Sequence, residues 1–336
     1  MQKAIVFLVF FQASLLFSQQ SDFSYISFTK ADIIAKNTKS RRLYELNKLT
    51  INLTKDLHTD VEKVRAIFKW ICLNVANDFR LYAKNERKRE KFKKDSLKLS
   101  EWNSELKTEL FSRLLRRKKT ICTGYAYLFK EMCSIAGIES KMIYGFGRTA
   151  DVLEFDPAYP NHTWNAVKLN NKWYLCDATW AAGISLPERK KFTFKYNDGY
   201  FLTDPELFIN NHYPIYPEDA LLKKNIPTFE EFAQLPLIYG GAYKYFKNHN
   251  SPSKMYNELK VDTAFNFKYI LKDNVEFKDV KLVFIKGIIE FSRKPEITKE
   301  ENIISLNYWF RKTGYYDVHL YLNDEILATY IFNIKP

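Results

Sequence analysis

The chain has 336 residues, 46% apolar and 27% charged, a balance that excludes an intrinsically disordered protein and leaves room for two domains with cores of their own. Its four cysteines, at 72, 122, 133 and 176, form no Cys-x-x-Cys pair, which excludes a dense disulfide framework. The net charge of +13 is uneven, with fourteen Lys or Arg against six Asp or Glu between Lys84 and Lys119; a solvated helical face accounts for this run, and no nucleic-acid partner is expected.

The first residues read Met1-Gln2-Lys3, then an apolar run from Ala4 to Phe17. One positive charge before a short hydrophobic stretch is the pattern of a secretory signal peptide. Residues 1–18 are therefore expected to be removed, giving a secreted or periplasmic protein without stable membrane insertion. Anionic cell-envelope components are then candidate partners for the basic run. Thr59-Asp60-Val61-Glu62 has the form of a capping box, and Val64, Ile67, Phe68, Ile71 and Val75 follow at helical spacing. This predicts an amphipathic helix over 60–76. A charged helical segment is expected over 84–119, and a second buried helix over 122–136, stopped by Gly137.

Candidate strands follow at 141–146, 162–169 and 172–179. Asn170-Asn171 alone separates the last two, and residues that tolerate positive φ predict a tight hairpin there. Proline-punctuated loops occupy 205–236. Beyond 237 the helical signal fades, and segments 281–289, 305–310, 315–322 and 326–334 read as strands, with a turn at Asn323-Asp324-Glu325. Repeated short strands predict a small β-sandwich. The stretch from Thr313 to Val318, with Tyr315-Tyr316, resembles the tyrosine corner of immunoglobulin-like domains.

A cysteine is a nucleophile only as thiolate, a form favoured by a helix N-terminus and by a neighbouring imidazolium. Cys122 stands at the start of the 122–136 helix, before the small residues Thr123-Gly124. The two-residue turn sets the hairpin register: Leu169 opposite Lys172, Trp164 opposite Asp177, and His162 opposite Thr179. His162 and Asp177 then fall on one face as diagonal neighbours, about 7 Å apart at Cβ or somewhat less, within reach of an imidazole–carboxylate hydrogen bond. Such a bond orients the ring and stabilises its cation. Cys176 points to the opposite face and, with Cys72 and Cys133, reads as core. Each of the three site residues alone has a structural reading, including Asp177 as the cap of the next turn; their joint placement points to a Cys-His-Asp site. Trp164 and Trp180 flank it, as groove walls or as core. His58, His212, His249 and His319 show no metal-ligand spacing, and no Gly-rich phosphate loop is present, so neither metal nor cofactor is expected.

Three blocks carry a resemblance: Thr120-Ile121-Cys122-Thr123-Gly124-Tyr125-Ala126, Asn161-His162-Thr163-Trp164-Asn165-Ala166-Val167, and Trp173-Tyr174-Leu175-Cys176-Asp177-Ala178-Thr179-Trp180. Together they resemble the transglutaminase-like superfamily, and most closely its kyphoscoliosis-peptidase branch. Residues 68–78 and 200–206 resemble further blocks of that branch. The resemblance implies an α+β architecture: a papain-like domain over 19–236, with helices packed on an antiparallel sheet, then a small all-β immunoglobulin-like sandwich over 237–336. It implies Cys122 as nucleophile, His162 as base and acid, and Asp177 as orienter, acting on a protein or peptide substrate. Peptide hydrolysis, transglutaminase crosslinking and a non-catalytic peptide- or glycan-binding envelope module all remain open at this point.

Overall fold

The helix Asp60–Asn74 is the axis on which the N-terminal half is built. Its capping box forms as expected: Thr59 accepts from the Glu62 N–H, and the Glu62 carboxylate accepts from the Thr59 N–H at 2.9 Å. The helix is not amphipathic in its setting, however. Val64, Ile67, Phe68 and Ile71 are buried, but so are Ala66, Trp70 and Arg65 on the other flank. Three contacts make this tolerable. Arg65 is ion-paired with Asp32 at 2.6 Å and with Asp198, and Trp70 Nε1 donates to the Thr38 carbonyl at 2.9 Å.

The computed structural model describes residues 20–40, 42–149, 156–186, 191–273 and 275–336; the expected export segment 1–18 lies outside them. No helix among the described residues is long and apolar enough to cross a membrane. The charged 84–119 segment is two helices, Phe79–Phe92 and Ser96–Arg117. Asp78 and Asp95 cap them by accepting from the N–H groups of Leu81 and Lys98. Leu81, Leu110 and Ile121 pack between them and the start of the next helix. That helix, Cys122–Ile135, ends where Gly137 takes a φ of +75°.

Five antiparallel strands form the sheet of this half, in the spatial order Phe201–Thr203, Lys172–Cys176, His162–Leu169, Ser140–Gly147 and His212–Pro214. Asn170 and Asn171 both adopt positive φ, 49° and 61°, and Leu169 pairs with Lys172 as the two-residue turn requires. One expectation needs correction. The strand ends at Cys176 and does not continue to Thr179, so the pairs Trp164–Asp177 and His162–Thr179 do not exist. The reason is local: Asp177 leaves the ladder and caps the short helix Ala178–Ala182, accepting from the N–H groups of Thr179 and Trp180 at 2.7 and 3.1 Å.

The C-terminal part is an immunoglobulin-like sandwich of two sheets. One runs Leu237–Ile238, Glu325–Lys335, Gly314–Leu322, Val280–Lys286, Ile289–Arg293, with Tyr256–Lys260 also on Glu325–Lys335; the other runs Phe246–Ser251, Thr263–Leu271, Ile303–Phe310, Glu296–Glu300. Phe267, Leu306, Phe284, Val318 and Phe332 fill the space between. The expected strand over 281–289 is in fact parts of two, turned at Gly287 with φ +61°. Tyr316 Oη donates to the Lys312 carbonyl at 2.9 Å, the bond that defines a tyrosine corner.

Candidate active site

Three elements converge on one buried carboxylate. Cys122 is the first residue of a helix of 14 residues, partly exposed, where the first turn leaves backbone N–H groups without intrahelical acceptors. Gly124 is required here: a Cβ would lie 1.8 Å from Thr120 Oγ1. Asn165 holds this helix against the sheet by donating to the Ala126 and Lys141 carbonyls at 2.9 and 3.2 Å. Thr123 and Thr163 meet at 3.5 Å beside the site.

His162 opens its strand and is 8% exposed. Before it, Asn161 makes two bonds to the Gly147 backbone, accepting at 2.6 Å and donating at 3.0 Å, which fixes where the ring enters. His162 Nε2 lies 2.7 Å from Asp177 Oδ2. Cys122 lies close enough to the ring to bear on its charge, and with Nε2 held by Asp177 it is Nδ1 that is left for the thiol. Burial opposes a charge on this ring, but the charge and hydrogen bond of Asp177, with those of Cys122, outweigh it and raise its pKa to about 10. Burial likewise opposes charge on Asp177, yet His162 and His212 hold its carboxyl well below the usual range. Asp177 thus both caps a helix and orients an imidazole, with one oxygen for each task.

His212 was read from the sequence as a loop residue. It lies instead on the edge strand His212–Pro214, opposite Gly147, and its Nε2 is 3.0 Å from the same Asp177 oxygen. Burial pushes its pKa down to about 4. The nitrogens of His162 and His212 and the Asp177 oxygen lie within 4.8 Å of one another, a grouping that invites a metal. The residues do not fit one. Both rings address a single oxygen at hydrogen-bond distances, and Asp177 and His212 are sealed from solvent.

Trp164, expected as groove wall or core, is core. It is 1% exposed behind the imidazole, at 6.0 Å between ring centres, and its Nε1 has no partner among the described residues. Trp180 is partly exposed and packs on His162 and His212, at 5.1 and 4.3 Å. Cys72, Cys133 and Cys176 are buried and unpaired, and burial pushes their thiols up, Cys176 to about 12. They are inert core groups.

Residues 47–178 match the family model of the transglutaminase-like superfamily. The chain carries a transglutaminase-like domain. Among curated proteins it is similar to the kyphoscoliosis peptidase of Homo sapiens, 37% identical over 203 residues, covering 58% of this chain and 27% of that protein. It is also similar to hillarin of Drosophila melanogaster, 28% identical over 233 residues, covering 66% of this chain and 26% of that one. The chain therefore spans about a quarter of the length of the relatives it matches. A crystal structure of a TGase aligns at 17% identity with a TM-score of 0.30, over 55% of this chain and 42% of that one. Within the transglutaminase-like domain, the Cys122 helix and the His162–Asp177 pair lie inside the matched stretch, whereas His212 lies beyond it.

Proposed function

We propose that the transglutaminase-like domain is a cysteine-dependent amide acyl transferase, and first a peptidase, working through Cys122, His162 and Asp177. One observation carries this reading: a buried 2.7 Å imidazole–carboxylate bond whose ring also meets a partly exposed cysteine at a helix start. Structural cysteines are sealed in apolar cores, as the other three are; this one has an acid–base partner that is itself oriented.

Cys122 thiolate attacks the amide carbonyl carbon, and the C=O electrons move to oxygen. Backbone N–H groups of the first helical turn, starting with that of Cys122, receive the oxyanion. His162 Nδ1–H gives its proton to the leaving nitrogen, the C–N bond breaks, and a thioester remains. Water then attacks with His162 taking its proton, which releases the acid and restores the thiolate. Asp177 keeps the ring oriented and favours its cation throughout. The partly exposed Trp180 flanks the imidazole as a groove wall. Crosslinking would use the same groups with an amine in place of water; the name peptidase, borne by the human relative, favours hydrolysis.

The pattern of residues 1–18 supports export, so a secreted or periplasmic protein or peptide is the proposed substrate. The test is labelling with a thiol-reactive peptide probe. Labelling of the native chain that disappears in both Cys122→Ala and His162→Ala is expected. Labelling indifferent to His162→Ala would favour a non-catalytic binding module.

A further inference from the structure

A second histidine faces the carboxylate that orients His162, and its other nitrogen is also committed. His212 Nε2 lies 3.0 Å from Asp177 Oδ2, and Nδ1 lies 2.7 Å from Asn211 Oδ1. Both partners are acceptors. The Asn211 amide cannot be turned over to offer its NH2 group. Its Nδ2 already donates to the Ile238 carbonyl at 2.7 Å, and its Oδ1 accepts from Tyr243 Oη at 3.0 Å. Turned over, two oxygens would meet at 2.7 Å with no hydrogen between them. A neutral imidazole has one N–H, and would present a bare lone pair to one of its two oxygen neighbours.

We propose that His212 is a doubly protonated positioning residue, whose two N–H groups clamp Asp177 and Asn211 and whose charge offsets part of the hold of Asp177 on His162. Burial outweighs the charge and hydrogen bond of Asp177 and on those alone would leave the ring neutral; the second acceptor, Asn211 Oδ1 at 2.7 Å, is what retains the second proton. The groups around the ring are Asp177 from the helix cap, His162 at 5.3 Å from the neighbouring strand, Tyr200 at 6.2 Å, and the uncharged Trp180, Trp164 and Phe208, the last stacked at 3.8 Å. Among these, Asp177 is the anion and His162 the other cation.

The catalytic half of this inference rests on the acyl-transfer reading; the proton count does not. Nitrogen-15 NMR of the native full-length chain, reduced and at neutral pH, reads the count directly, with His212 assigned by the signals missing from His212→Gln. Both His212 nitrogens are expected as protonated and slowly exchanging. One bare nitrogen would overturn the proposal, as would stoichiometric zinc uptake that displaces the ring protons. The charge effect is read from the pH profile of Cys122 alkylation. His212→Gln keeps a donor for Asp177 but no charge, so the high-pH limb, set by His162, should move up by about one pH unit. An unmoved limb in a folded Gln variant would refute the electrostatic role. Should that variant not fold, His212 is assigned by elimination from single Gln variants of His58, His162, His249 and His319, and the native spectrum then decides.

Discussion

Gly147 offers a test of the site through a residue outside the proposed triad. A Cβ built at Gly147 lies 2.9 Å from both Cβ and Cγ of His162 and 3.1 Å from Cδ2. Gly147 has no positive φ, so its backbone accepts alanine and the cost is the contact alone. Ordinary contact begins at 3.4 Å, so the ring must retreat by about 0.5 Å. Its retreat is resisted by the 2.7 Å bond to Asp177. Overpacking of this kind costs about 1–3 kcal/mol of stability. Misplacing a reacting group by about 1 Å costs about 100-fold in rate, so a shift of half that should cost ~10-fold or more. Gly147→Ala should therefore label slowly with the thiol-reactive probe while remaining folded by circular dichroism. Gly137→Ala is the control: nothing lies within 4 Å of its Cβ, but φ is +75°, so it should lose about 1 kcal/mol and label normally. Wild-type labelling in folded Gly147→Ala would refute the placement of His162.

Asp177→Asn keeps an acceptor for the helix cap but turns an NH2 towards both ring nitrogens, so turnover should fall on the order of 10^4-fold and the melting temperature should drop with the chain still folded; outright unfolding would make Asp177 a structural residue first. The His162–Asp177 pair also sets a pH dependence. Between about 6.5 and about 10 the folded ring keeps a proton that the unfolded chain has released, so stability falls as pH rises through this window. Below it the His162 contribution is complete. Asp177, with its pKa depressed, contributes above the ordinary carboxylate value, and that contribution is lost only as pH falls below it. Urea unfolding at a series of pH values should show native and His162→Ala chains converging towards pH 10. Trp164→Ala should cost about 3–5 kcal/mol, as the loss of a core aromatic does. Trp180→Ala, at a partly exposed position, should cost less stability and relatively more turnover, which paired melting and labelling measurements would separate.

Local signals were readable wherever chemistry confined the backbone. The Thr59–Glu62 box, the Asn170-Asn171 turn and Gly137 each mark an element boundary that the structure keeps. The meeting of His162 with Asp177 is the expected one, but it comes about without the expected pairs beyond Cys176: Asp177 reaches the ring from a helix cap, not from a strand. The carboxylate's affinity for the next backbone N–H groups ends the strand before the ladder can continue. His212 was illegible because its strand has three residues and follows no alternation; only its pairing with Phe146 and Gly147, a tertiary fact, makes it a strand. The helix Asp60–Asn74 was misjudged as amphipathic because Arg65 counts as polar in any pattern, and the acids that let it be buried lie at 32 and 198.

The bonds at Asn211 bear on how such a chain can be rearranged. Ile238 lies in a strand of the sandwich, Tyr243 follows it, and together they grip the side chain beside His212. Grafting a different module after residue 236 would bring its own fold but neither that carbonyl nor that hydroxyl. Such chimeras should fold and yet work poorly until both groups are restored, which makes the junction, rather than either partner, the unit that has to be inherited intact.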